Sequence, residues 1–234
     1  MTSLVVDGEA VREFLDQAEP LLDAEALSDL SAGLERRTLA MREPSLPWPL
    51  RWQLAPVARR VPAEMRAAWE PRLEPLWDLA IEGRADALLE ALEAFVDEAP
   101  WTLDWATYWL HVRHPAAWPW WARWVYRGSS ETGALLLVTG NSLGFGGQSL
   151  PDTYGGLTTS VRFLGSVLDL THRLERVSDP YRPMVALAAV YGIYMLTMAA
   201  WKLTDEFTKV FPPFPVVVKT LLGVTRWEAM KVGG

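Results

Sequence analysis

Cysteine is absent from this chain of 234 residues, lysine occurs four times and histidine three times. Without cysteine there are no disulfides and no cysteine-based zinc site. Three histidines, none in a His-Glu-x-x-His arrangement, leave little from which to build a metal centre. The glycine-rich dinucleotide and phosphate-loop signatures are missing, as are the Gly-x-Ser-x-Gly elbow and any carboxylate dyad. No cofactor is expected. Residues 1–20 carry acids and no apolar run behind a basic start, so they do not read as a signal peptide, and the expected location is cytoplasmic.

Half of the residues are apolar and 22% are charged, which is globular composition. The net charge of −7 is uneven: residues 1–100 hold 10 basic and 20 acidic groups. Such an acidic front half disfavours broad, non-specific nucleic-acid binding, which needs cationic surface, but leaves room for a local basic groove. Tryptophan is over-supplied. There are thirteen, seven of them between Trp101 and Trp124.

Apolar residues at helical spacing predict helices over 9–18 (with Asp7 as N-cap), 23–41, 63–82, 84–98, 101–111 and about 157–177. The segment 43–62, with five prolines, reads as irregular chain packed on the body through Trp48 and Trp52. A short helix is expected near 120–127. Residues 133–139 fit either a buried strand or a helix end, and 140–147 with Gly155-Gly156 reads as a long glycine loop. The expected fold is all-α or nearly so, a single domain spanning residues 1–234. Within it, an acidic helical N-terminal region (residues 1–100) packs on a more hydrophobic C-terminal region (residues 101–234). The hydrophobic central helix lies near 183–209. Residues 184–201 carry no charge, so the same stretch also meets the minimum length of a membrane span.

Two constellations stand out as candidate sites. Arg113, Trp118, Trp120, Trp121, Arg123 and Arg127 form an arginine–tryptophan segment without an acid, a composition suited to stacking unpaired bases and contacting phosphates. The same composition suits a protein-interface hot spot, or a turn stapled to the core with arginine lying on indole. Within it, His114-Pro115-Ala116-Ala117-Trp118-Pro119 resembles a helix turn of some DNA-glycosylase-like and restriction-associated proteins. The resemblance covers about 20 of the 234 residues, and the catalytic lysine and aspartate of such glycosylases have no counterpart placed here.

The second constellation is Asp104, Tyr108 and His111 at i, i+4 and i+7, expected on an exposed face opposite a stripe of Trp101, Trp105 and Trp109. With His114 nearby, it offers an acid–base pair or a weak metal site. The expected function is a non-catalytic binding or scaffold role through the 113–127 segment, with nucleic acid or another protein as partner. Membrane anchoring through 184–201 and a His/Asp- or metal-dependent enzyme are the alternatives.

Overall fold

The computed structural model describes residues 6–42, 46–130, 132–139, 149–202 and 212–231, and all regular structure among them is helical. Eleven α-helices follow in chain order among these described residues. They are α1 Gly8–Ala18, α2 Ala24–Ala40, α3 Trp48–Leu54, α4 Ala63–Glu82, α5 Ala85–Glu93 and α6 Trp101–Arg113, then α7 Ala134–Leu137, α8 Leu150–Leu170, α9 Arg182–Lys202, α10 Phe214–Leu221 and α11 Val224–Lys231. The all-α expectation is met.

Side-chain caps set several helix starts by accepting from backbone N–H groups that have no intrahelical partner. The Asp7 carboxylate accepts from Glu9 and Ala10 at 2.9 and 3.2 Å. Asp23 does the same for Ala26 at 2.8 Å. Ser149 accepts from the Asp152 N–H at 3.2 Å, while its hydroxyl donates to the Asp152 carboxylate at 2.7 Å. That cap explains why α8 begins at Leu150 rather than near 157. Pro151 fits the first turn, and Gly155 and Gly156 lie inside the helix instead of in a loop. The rest of the expected glycine loop, 140–147, lies outside the described residues, as do 203–209 of the expected last long helix.

The proline-rich segment 43–62 holds more structure than expected. α3 starts directly at Trp48 with Pro49 in its first turn, and a 3-10 helix covers Pro56–Arg60. Residues 120–127, expected as a helix, form turns instead. Residues 133–139 contain the short helix α7, with no strand there. Segment 124–135 doubles back on itself: Ala134 N–H donates to Trp124 O at 2.8 Å and Leu135 N–H to Val125 O at 3.1 Å. Gly133 makes this return possible, with φ +128°, and a Cβ there would lie 2.5 Å from the Val125 carbonyl oxygen. Gly133→Ala is therefore expected to cost about 1–3 kcal/mol or more through backbone strain. Urea denaturation of the two proteins measures it.

The core is organised around α6. Every residue from Asp104 to Val112 is buried, with α4, α5, α2 and the 3-10 turn packed about it. α9, expected as the central helix, is buried along Met184–Val190, where α1, α8 and α7 pack on it, and becomes partly exposed from Tyr194 onward. It is long and apolar enough to cross a membrane, and half of the stretch Arg182–Ala199 is buried inside the fold.

Aromatic rings in contact run through this core as a continuous chain. Trp69 meets Trp101 (centroids 5.3 Å apart), Trp101 meets Trp52 (5.6 Å), and Trp52 meets Trp105 (6.0 Å). Trp105 then meets Trp77 (6.4 Å) and Trp77 meets Trp109 (4.9 Å). The chain continues through Tyr108, Trp120, Trp124 and Tyr191 to Tyr194. Arg51 is buried in it, its guanidinium 4.6 Å from the Trp48 ring centre and 4.1 Å from that of Trp77. It is held by Glu74 at 2.9 Å and the Leu46 carbonyl at 2.6 Å. Arginine against indole does occur in this fold, as a structural device of the proline-rich segment and of α4, where Arg72 lies 3.9 Å from the Trp69 ring centre.

Candidate anion-binding surface

The tryptophans of segment 113–127 are turned inward. Trp120 is 3% exposed and Trp121 7%. Two of the indole N–H groups have a fixed acceptor: Trp120 Nε1 donates to Asp104 Oδ1 at 3.0 Å, and Trp121 Nε1 to the Tyr126 carbonyl at 3.2 Å. Trp121 stacks on Tyr154 at 6.0 Å and 11°, and half-buried Trp118 stacks on the same tyrosine. The expected aromatic surface is corrected accordingly: these rings are committed to protein partners. Arg113 is also half-buried and donates to the Met41 carbonyl at 3.0 Å. Of the six residues, Arg123 and Arg127 stand exposed.

Asp104, Tyr108 and His111 are all buried, not solvated. At about 100° per residue they fall on a face adjoining the tryptophan stripe rather than opposite it, and α6 is enclosed on both. Asp104 forms an ion pair with Arg60. Burial raises its carboxyl pKa against the opposing pull of Arg60 and the Trp120 N–H. His111 Nδ1 lies 2.9 Å from the Trp118 carbonyl, so the proton sits on Nδ1. Burial, and then the Arg37 charge, lower its pKa to about 4. His114 Nε2 bonds instead to the Ile81 carbonyl at 2.8 Å. Asp104 and His111 thus serve different partners, and the expected acid–base pairing is not formed. Among the described residues no group of three histidine or carboxylate side chains is placed to hold a metal.

What the fold does assemble at the surface is a band of arginines. A depression of about 490 Å³ is lined by Arg60, Arg123 and Arg127, with Asp104 and Trp120 in its wall and Tyr191 at its side. A second, of about 320 Å³, adjoins it through shared Asp104, Arg123 and Arg127. Among the described residues Asp104 is the sole carboxylate in either lining, and it already pairs with Arg60. Arg123 makes no ion pair or side-chain hydrogen bond among the described residues. Arg60 was not among the sequence candidates. The signal was there, in three arginines without an acid across residues 51–60, but the proline-rich setting hid that this stretch packs beside α6.

Fold and surface together define an all-α protein with an arginine-lined face. The chain matches no protein-family model, no curated protein and no solved structure, so the arginine face alone carries the functional reading.

Proposed function

We propose that the chain is a non-catalytic cytoplasmic binding protein whose arginine face holds single-stranded nucleic acid through its phosphates. One observation carries the reading. Arg60, Arg123 and Arg127 converge on adjoining depressions with one already-paired carboxylate between them, on a chain of net charge −7. Local cationic density on an acidic body is how phosphate contacts are concentrated at one place while non-specific sticking is suppressed. The buried tryptophans leave little room for base stacking, so backbone contacts carry the affinity and sequence preference is weak.

The double variant Arg123→Gln/Arg127→Gln tests it, measured by polarisation of a labelled oligonucleotide at two salt concentrations. Loss of two phosphate contacts should weaken binding about tenfold or more and reduce the salt slope by about 1.4. The melting temperature should stay the same, since both side chains are exposed. Equal affinity of variant and parent would remove nucleic acid from this face and leave a protein partner as the reading to pursue.

A further inference from the structure

A third depression, of about 540 Å³, shares Pro56 and Thr220 with the first and lies beyond them. Two distant stretches build it: Gln53 and Arg59 from the α3 region, and the α10–α11 turn with Thr220, Gly223, Thr225 and Arg226. Among the described residues no carboxylate lines it.

Its positive charge is concentrated and uncompensated. Arg59 makes no ion pair among the described residues. Arg226 is fixed through Nε, which donates to the Gln53 carbonyl, and it too lacks an acidic partner there. Burial and the neighbouring charges of Arg59 and Arg66 lower the pKa of Arg226, the signature of guanidinium groups crowded together. Arg66 is anchored on the Ala58 and Val61 carbonyls at 2.6 and 2.9 Å, again without an acid among the described residues. Behind the pocket wall sits Arg37, 1% exposed, donating to the Leu222 carbonyl with its Nε unpartnered. Two guanidiniums, Arg59 and Arg226, therefore line the pocket, with the charge of Arg66 acting on Arg226 from outside the lining.

The rest of the lining suits a compact anion. The hydroxyls of Thr220 and Thr225 lie 3.3 Å apart. The first backbone N–H groups of α11, which have no intrahelical acceptor, start at the same place. Gly223 holds the turn between α10 and α11 at φ +75°, and a Cβ there would lie 2.9 Å from Pro56 Cγ. Glycine thus lets the two helices close against the Pro56 segment and bring Arg59 up to Arg226. Among the described residues no aromatic ring lines the pocket, so it offers nothing for a base to stack on.

We infer that this pocket binds the dianionic phosphate of a phosphomonoester, with Arg59 and Arg226 as its charged clamps and the Thr220–Thr225 hydroxyl pair supplying one further donor. The inference does not depend on the nucleic-acid reading, because the pocket has its own donors. The phosphate belongs either to a small free phosphomonoester or to the end of a nucleic-acid strand, and the same chemistry serves both.

Calorimetric titration with inorganic phosphate, with sodium chloride at matched ionic strength as control, tests the site. Saturable binding is expected, weakened at least tenfold in Arg226→Gln and in the more exposed Arg59→Gln. The second variant keeps the test valid should Arg226→Gln fail to fold. A 5′-phosphorylated oligonucleotide binding tighter than its 5′-hydroxyl twin, with the advantage lost in Arg59→Gln, assigns the strand end. Equal binding of the two oligonucleotides, with inorganic phosphate still held, assigns the free phosphomonoester. Absence of phosphate binding at millimolar concentration, or binding undiminished in both variants, overturns the inference whatever the Arg123/Arg127 experiment shows.

Discussion

Trp105→Ala should lower the unfolding free energy by about 3–5 kcal/mol, enough to remove much or all of the stability of an ordinary domain. Trp105 is fully buried and touches three other indoles: Trp48, stacked at 5.9 Å, Trp52 at 6.0 Å and Trp77 at 6.4 Å. Truncation leaves a cavity bordered by rigid rings on α3 and α4, which cannot collapse into it without moving both helices. No hydrogen bond is lost, because Trp105 Nε1 is buried without a partner. Trp105→Phe keeps most of the ring volume and removes an unsatisfied N–H whose burial costs about 1–3 kcal/mol. The phenylalanine variant should therefore lose far less than the alanine variant. Chemical denaturation of the three proteins gives the ordering; equal losses in both variants would place the energy in contacts that only the full indole makes.

The second large effect is set by pH. His111 is enclosed in the core, and its pKa of about 4 compares with 6.5 for an unperturbed histidine. A base whose folded pKa is depressed contributes stability that is complete above its unfolded pKa. As pH falls below about 6.5, the unfolded chain takes up a proton that the native site refuses, and stability drains until about pH 4. The full interval corresponds to about 3 kcal/mol. Carboxylates titrate in the same range, so the diagnostic is the difference from His111→Gln, whose side-chain amide can still donate to the Trp118 carbonyl. Between pH 7 and pH 4 the native protein should lose about 3 kcal/mol more than the variant. Parallel stability curves would mean that the imidazole is protonated in place.

The helices are legible in the sequence because their signals are local. Asp7 before an apolar-periodic run marks α1 by spacing alone, whereas the helix expected over 84–98 ends at Glu93 and gives way to turns before Phe95. The start of α8 is harder to read, because a glycine pair argues for loop more loudly than the Ser149–Asp152 cap argues for helix. The arginine–tryptophan segment has the composition of a binding surface and the exposure of a core. Burial of Trp120 and Trp121 is decided by Asp104 and Tyr154, which lie 16 and 33 residues away in the chain and leave no mark on the segment's own pattern. The same holds for the phosphate pocket. Arg59 and Arg226 become neighbours only when α11 folds back on the α3 region, and no periodicity within either stretch anticipates that.

The chain of rings from Trp69 to Tyr194 has an optical consequence. Indoles at centroid separations of 4.9 to 6.4 Å exchange excitation far faster than they emit, so light absorbed at one is shared along the row. The six tryptophans from Trp69 to Trp109 in the row are then less a set of separate reporters than one collective antenna. Trp120 and Trp124 border the arginine face as a separate indole pair, joined to the six through Tyr108, so an event there is read first by these two rings.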